Sequence, residues 1–135
     1  MKKLIAVMAV VLFAGITLNA QEPKQLAEQF LITLNSGNVD AAYALILKGS
    51  QIQKQKPQAV VFLKKQTGAI FSLYGQPIGI EFVKSESFGN SVVRLLYIQK
   101  TKMLPVVWEF FFYKPYNNWL LINIKFNDKT DMLLK

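Results

Sequence analysis

The chain has 135 residues, with 16 Lys and Arg against 8 Asp and Glu, and neither His nor Cys. That length supports one hydrophobic core and is too short for two. Without Cys there is no disulfide framework, so stability must come from packing alone. Without His and Cys there is neither the commonest general base nor the nucleophilic dyads and triads built on them, and the usual zinc and copper ligands are missing.

The first twenty residues read as an export signal: Lys2-Lys3, an apolar run from Leu4 to Leu18, and Asn19-Ala20 at the expected cut. A membrane anchor is the rival reading, but the run falls short of the roughly 20 residues that span a bilayer. Cleavage leaves residues 21–135 as one domain, with Gln21 first, in the periplasm of a bacterium or secreted from it. Losing Lys2 and Lys3 lowers the formal charge from +8 to +6. The excess is nearly all Lys, with Arg94 the single arginine, whereas nucleic-acid readers lean on the bidentate fork of Arg. Nucleic acid is therefore not an expected partner. Two readings of the lysines stay open: a solvated surface, or attraction to anionic envelope material.

Pro23 suits a helix start, and Leu26, Phe30 and Leu34 with Ala27 and Leu31 form one apolar stripe that ends at Asn35-Ser36-Gly37. Asn38 caps a shorter second helix with Asp40 in its first turn and Val39, Ala42, Tyr43 and Ile46 inward. Ser50 to Lys56 has no period and is read as a loop. Ala59, Phe62, Leu63, Ile70 and Leu73 give a third helix, stopped by Gly75, in which Gly68 marks a kink, a close contact or an imperfect helix.

The remainder reads as strands. Ile78, Ile80 and Phe82 alternate with polar or small residues, Phe88-Gly89-Asn90 turns, and Val92–Lys100 follows. The aromatic runs Met103–Lys114 and Asn118–Asn127 form a hairpin about Pro115-Tyr116-Asn117. Helices followed by four strands joined by short turns make an α+β fold, the helices packed on a four-stranded antiparallel meander.

The opening AEQFLITLNSGNVDAAYALI and the ending NNWLLINIKFND resemble small exported members of the NTF2-like superfamily, whose last hairpin often places a Trp just after the turn. The resemblance implies a curved sheet wrapped about a long helix as a cone, a cavity between them, and dimerisation through the sheet. It implies no particular activity, since fold is a poor guide to function, and no family residue carries over.

Among single residues, Glu109 stands in the most apolar strand. Facing a cavity, it would be a candidate base of a cofactor-free isomerase or lyase, with Asp40 as the alternative base and a tyrosine as hydrogen-bond donor. Facing outward, it pairs with Arg94 or Lys125, and its parity with Val107, Phe111 and Tyr113 favours that side, leaving Trp108, Phe110 and Phe112 to the helices. Arg94 is also read as a cross-strand partner of Glu81 or as an anchor for a carboxylate ligand. Tyr43, Tyr74, Tyr97 and Trp108 either line a ligand cavity with their polar tips inward or fill the core. Trp119 and Leu121 extend an apolar band on the side away from Leu120, Ile122 and Ile124. With both faces of Val106–Tyr113 apolar, this predicts a homodimer through the sheet. The expected function is a non-enzymatic binding or interaction domain for a small apolar molecule or another envelope protein, with no cofactor and no metal.

Overall fold

The computed structural model describes residues 21–134, so the expected export segment lies outside the described residues. Four α-helices come first: α1 (Pro23–Asn35), α2 (Val39–Ile46), α3 (Ile52–Gln55) and α4 (Pro57–Tyr74). Four strands follow, β1 (Pro77–Phe88), β2 (Val92–Thr101), β3 (Pro105–Tyr113) and β4 (Leu120–Asn127), and a 3-10 turn, Thr130–Leu134, packs against β3. Among the described residues, no helix is long and apolar enough to cross a membrane.

Local chemistry explains the helix ends. Pro23 occupies the first turn of α1, and Gln25 Oε1 accepts the Glu22 N–H at 3.0 Å as half of a capping box. Gly37 leaves that helix at φ 95°, which a side chain would resist. Asn38 Oδ1 then accepts the Ala41 N–H at 3.1 Å and starts α2. The stretch read as a loop contains the single turn α3, too short to show a period. It is held by Ser50, whose hydroxyl donates to Leu121 O at 2.7 Å and accepts from the Ile52 N–H at 3.2 Å. Gly68 lies inside the unbroken α4, and a Cβ there would meet nothing within 4 Å. No close contact requires that glycine.

The sheet is antiparallel in the order β1-β2-β3-β4. It is flat and open, with β1 and β4 as separate edges. This corrects the expected curved NTF2-like cone and with it the superfamily assignment. The physical reason lies in the core. Phe30 of α1 meets Tyr43 at 5.0 Å, Trp108 at 5.2 Å and Phe110 at 5.8 Å between ring centroids, all edge to face. Phe126 stacks on Trp108 at 4.5 Å. Rings in such contact fill the layer between α1, α2 and the sheet, and leave no hollow there for strands to curl around.

Register corrects two smaller expectations. Glu86, not Glu81, stands opposite Arg94; Glu81 faces Ile98, because β1 continues through polar residues as far as Phe88. The apolar band of Trp119 and Leu121 does not form on one side. A shift in the β3–β4 pairing leaves Ile122 without an opposite number, so Leu121 and Ile124 both reach the core while Ile122 is exposed.

Because Gly68 loses backbone entropy on folding without any geometric need, Gly68→Ala raises stability by about 0.5–1 kcal/mol. Urea denaturation, with the midpoint moving up at constant slope, is the check; a lower midpoint would mean that the backbone there is constrained.

Candidate functional site

The period of two along β2 and β3 sorts the candidate residues onto opposite faces of the sheet. Leu95, Tyr97, Trp108, Phe110 and Phe112 join the core shared with the helices. Arg94, Leu96, Val107 and Glu109 alternate with them, on the other face.

On the helix side the polar tips of the buried aromatics are spent internally. Thr67 Oγ1 donates to Leu63 O at 2.6 Å, so its only proton is committed, and the buried Tyr43 hydroxyl donates to Thr67 Oγ1 at 2.8 Å. The Tyr97 hydroxyl donates to Glu28 Oε2 at 2.7 Å. Trp108 Nε1–H donates to Gln99 Oε1 at 2.8 Å, and Gln99 Nε2 donates to Asn35 Oδ1 at 2.8 Å. Asn35 Nδ2 ends the chain on Gly79 O at 3.4 Å, which joins the core tryptophan to the end of α1 and to β1. Tyr74 lies at the rim, where its hydroxyl donates to Asp128 Oδ2 at 2.6 Å, and borders a cleft of about 440 Å³.

Burial disfavours the phenolates of Tyr43 and Tyr97 and drives both pKa values far above the ordinary tyrosine range, with the Glu28 carboxylate pushing Tyr97 the same way. The Tyr74 pKa is raised as well, first through its hydrogen bond to Asp128.

The far side of the sheet carries a charge ladder that crosses all four strands. Glu86 of β1 accepts from Arg94 Nη1 at 2.5 Å, and Arg94 Nε donates to Glu109 Oε2 at 2.5 Å. Lys125 Nζ of β4 reaches Glu109 Oε1 at 3.2 Å. Arg94 and Glu109 are buried among strand neighbours, and the outer members are more exposed. Burial alone would lower the Arg94 pKa, but the hydrogen bonds to Glu109 and Glu86 outweigh it, so the guanidinium is raised above its usual value. Arg94 thus has its fork occupied by protein carboxylates.

The two alternative bases, Glu109 and Asp40, lie on different elements, β3 and α2. Glu109 is committed to the ladder, while Asp40 is exposed on α2 with Lys64 Nζ at 3.4 Å. The described hydrogen bonds of the tyrosines go to Thr67, Asp128 and Glu28, not to either candidate base. Among the described residues no group of three or more metal-ligating side chains is assembled.

A cleft of about 500 Å³ opens elsewhere, between the start of α1 and the β1–β2 hairpin. Glu22, Lys24, Ser85, Ser87 and Asn90 form its polar rim, and Val93, Leu95 and Trp119 its apolar lining. Ser85 and Ser87, which the sequence reading missed, pair with Leu95 and Val93 on the helix side, and nothing in the residue pattern ties them to the end of a helix some sixty residues earlier. No family model, no curated protein and no solved structure matches the chain.

Two measurements test the ladder and the buried phenols. Removing one member of a buried pair strands the other charge, so Glu109→Leu costs about 3–5 kcal/mol, whereas Arg94→Met with Glu109→Leu regains most of that loss. Chemical denaturation of the two variants distinguishes a coupled pair from two independent contributions. For the tyrosines, stability is intact below about pH 10, where the unfolded phenol keeps its proton, and falls as pH rises toward the elevated folded values. Comparing denaturation curves at pH 9 and 11, the double variant Tyr43→Phe/Tyr97→Phe loses less stability than the native chain.

Proposed function

We propose that the protein is an exported, non-enzymatic interaction domain that self-associates through the face of the sheet turned away from the α-helices. One observation carries the reading. Phe88, Val92 and Tyr113 stand opposite one another across β1, β2 and β3, on that face, with Phe111 beside them. Phe88 is 52% and Tyr113 40% exposed. A face without covering helices is ordinarily polar at such positions, and aromatic residues over a neutralised charge ladder have the character of an interface core. The N-terminal signal pattern supports a periplasmic or secreted location.

A second reading, small-ligand binding, is favoured by the cleft beside α1. Its volume falls within the ordinary range for ligand sites, and it combines apolar lining with convergent hydroxyl, amide and ammonium groups. The aromatic layer under α1 is packed by Phe30, Trp108 and Phe110, and the cleft beside α1 is somewhat roomier than the one of about 440 Å³ beside Tyr74.

Native mass spectrometry of protein purified after export tests both readings at once. The expected spectrum shows a dimer whose dissociation constant rises by about thirtyfold or more in Phe88→Asp. A monomer at micromolar concentration overturns self-association, and a retained small molecule lost on Trp119→Ala assigns the cleft instead.

A further inference from the structure

A different surface carries an inference that goes beyond self-association. Between Asp40 and Glu81 the chain holds five lysines, Lys48, Lys54, Lys56, Lys64 and Lys65, and no carboxylate side chain. The helix that dominates this stretch, α4, is apolar on both sides. Val60 and Ile70 are buried, yet Phe62 is 59% and Leu73 60% exposed. These two are eleven residues apart, so three helical turns bring them to the same side, about 16 Å from one another along the axis.

The C-terminal end of α4 is tied to the β2–β3 turn. Met103 N–H donates to Tyr74 O and Lys102 N–H to Gln76 O, each at 3.2 Å. That turn projects Met103, 67% exposed, and Leu104 next to Ile78 of β1, which is 62% exposed. Lys100 and Lys102 flank them on β2 and the turn. The outer side of α4 and the hairpin tip thus present exposed apolar side chains with Lys100 and Lys102 at the tip, while Lys64 is paired with Asp40 at 3.4 Å and Asp128 shares a cleft with Leu73.

We infer that this surface docks on an anionic phospholipid bilayer, with Met103, Leu104 and Leu73 entering the headgroup boundary and the lysines pairing with lipid phosphates. The choice of a lipid surface over a protein partner follows from composition. Protein interfaces are depleted in Lys and draw their affinity from Trp, Tyr and Arg held in pockets, whereas the tip projects Met103 and Leu104 with Lys100 and Lys102 beside them. Long lysine stems lie along an apolar surface while their ammonium groups stay at the polar boundary. Stable peripheral attachment takes two weak signals together, and here the apolar insertion and the basic field are both present.

Vesicle flotation tests this with the protein as isolated after export, its N-terminus established by mass spectrometry. The expected result is binding to vesicles of phosphatidylglycerol and phosphatidylethanolamine, little binding to phosphatidylcholine alone, and release as salt is raised. Lys100→Glu and Lys102→Glu each weaken binding by about fivefold or more, and Met103→Asp abolishes it while leaving the thermal midpoint unchanged. No binding to anionic vesicles at low salt overturns the inference, as does binding that Met103→Asp and Leu73→Asp leave intact. Self-association that Phe62→Asp or Met103→Asp abolishes, in protein that ignores vesicles, assigns the surface to a protein contact and likewise overturns it.

Discussion

The contact of Phe30 with Trp108, Tyr43 and Phe110 is the constraint on which the remaining structure depends. Phe30 is the inward residue of α1 that reaches both the second helix and the central strand, so one ring aligns helix, helix and sheet. Edge-to-face geometry fixes the separation of the two layers, because ring pairs lose their favourable quadrupole contact when they slide apart. With no disulfide available, this packed layer holds the domain together.

Packing so complete restricts where polar groups can go. Among the described residues no buried side-chain nitrogen or oxygen lacks a partner. Each buried aromatic with a polar tip is matched to a residue on a different element: Tyr43 to Thr67, Tyr97 to Glu28, Trp108 to Gln99 and on to Asn35. These bonds fix the position of α1 over the sheet and of α4 against α2, since a shift of either helix would strand a buried donor at a cost of about 1–3 kcal/mol. They also commit these groups to partners within the chain. The surfaces not taken up by this packing are the far face of the sheet, the clefts beside α1 and Tyr74, and the outer side of α4.

The far face shows how a sheet tolerates charge near its centre. Arg94 and Glu109 are buried by their strand neighbours, and the ladder extends to Glu86 and Lys125 at the two edges, where water solvates the ends. Register alone makes this work. A slip of one residue in either neighbouring pair would send the charges into the aromatic layer and the aromatics to solvent. The ladder therefore helps specify the alignment that the aromatic packing then uses.

Much of this was legible in the residues. The stripe of Leu26, Phe30 and Leu34, the cap at Asn38, the breaks at Gly37 and Gly75, and the alternation that separates Trp108, Phe110 and Phe112 from Glu109 are local signals, set by the 3.6 and 2.0 periods of helix and strand. Composition likewise established a single core without disulfides and a surplus of lysine. Other features depend on groups far apart in the chain. Glu86 meets Arg94 only because β1 runs on through Lys84 and Ser85; Ile122 drops out of the pairing only because β3 and β4 shift by a residue; and Gln99 finds Asn35 across 64 residues. The flat, open sheet is also of this kind. Whether strands curl or lie flat is set by how much volume lies between them and the helices, a property of the assembled layer and of no single segment, and here the rings of Phe30, Tyr43 and Trp108 fill it.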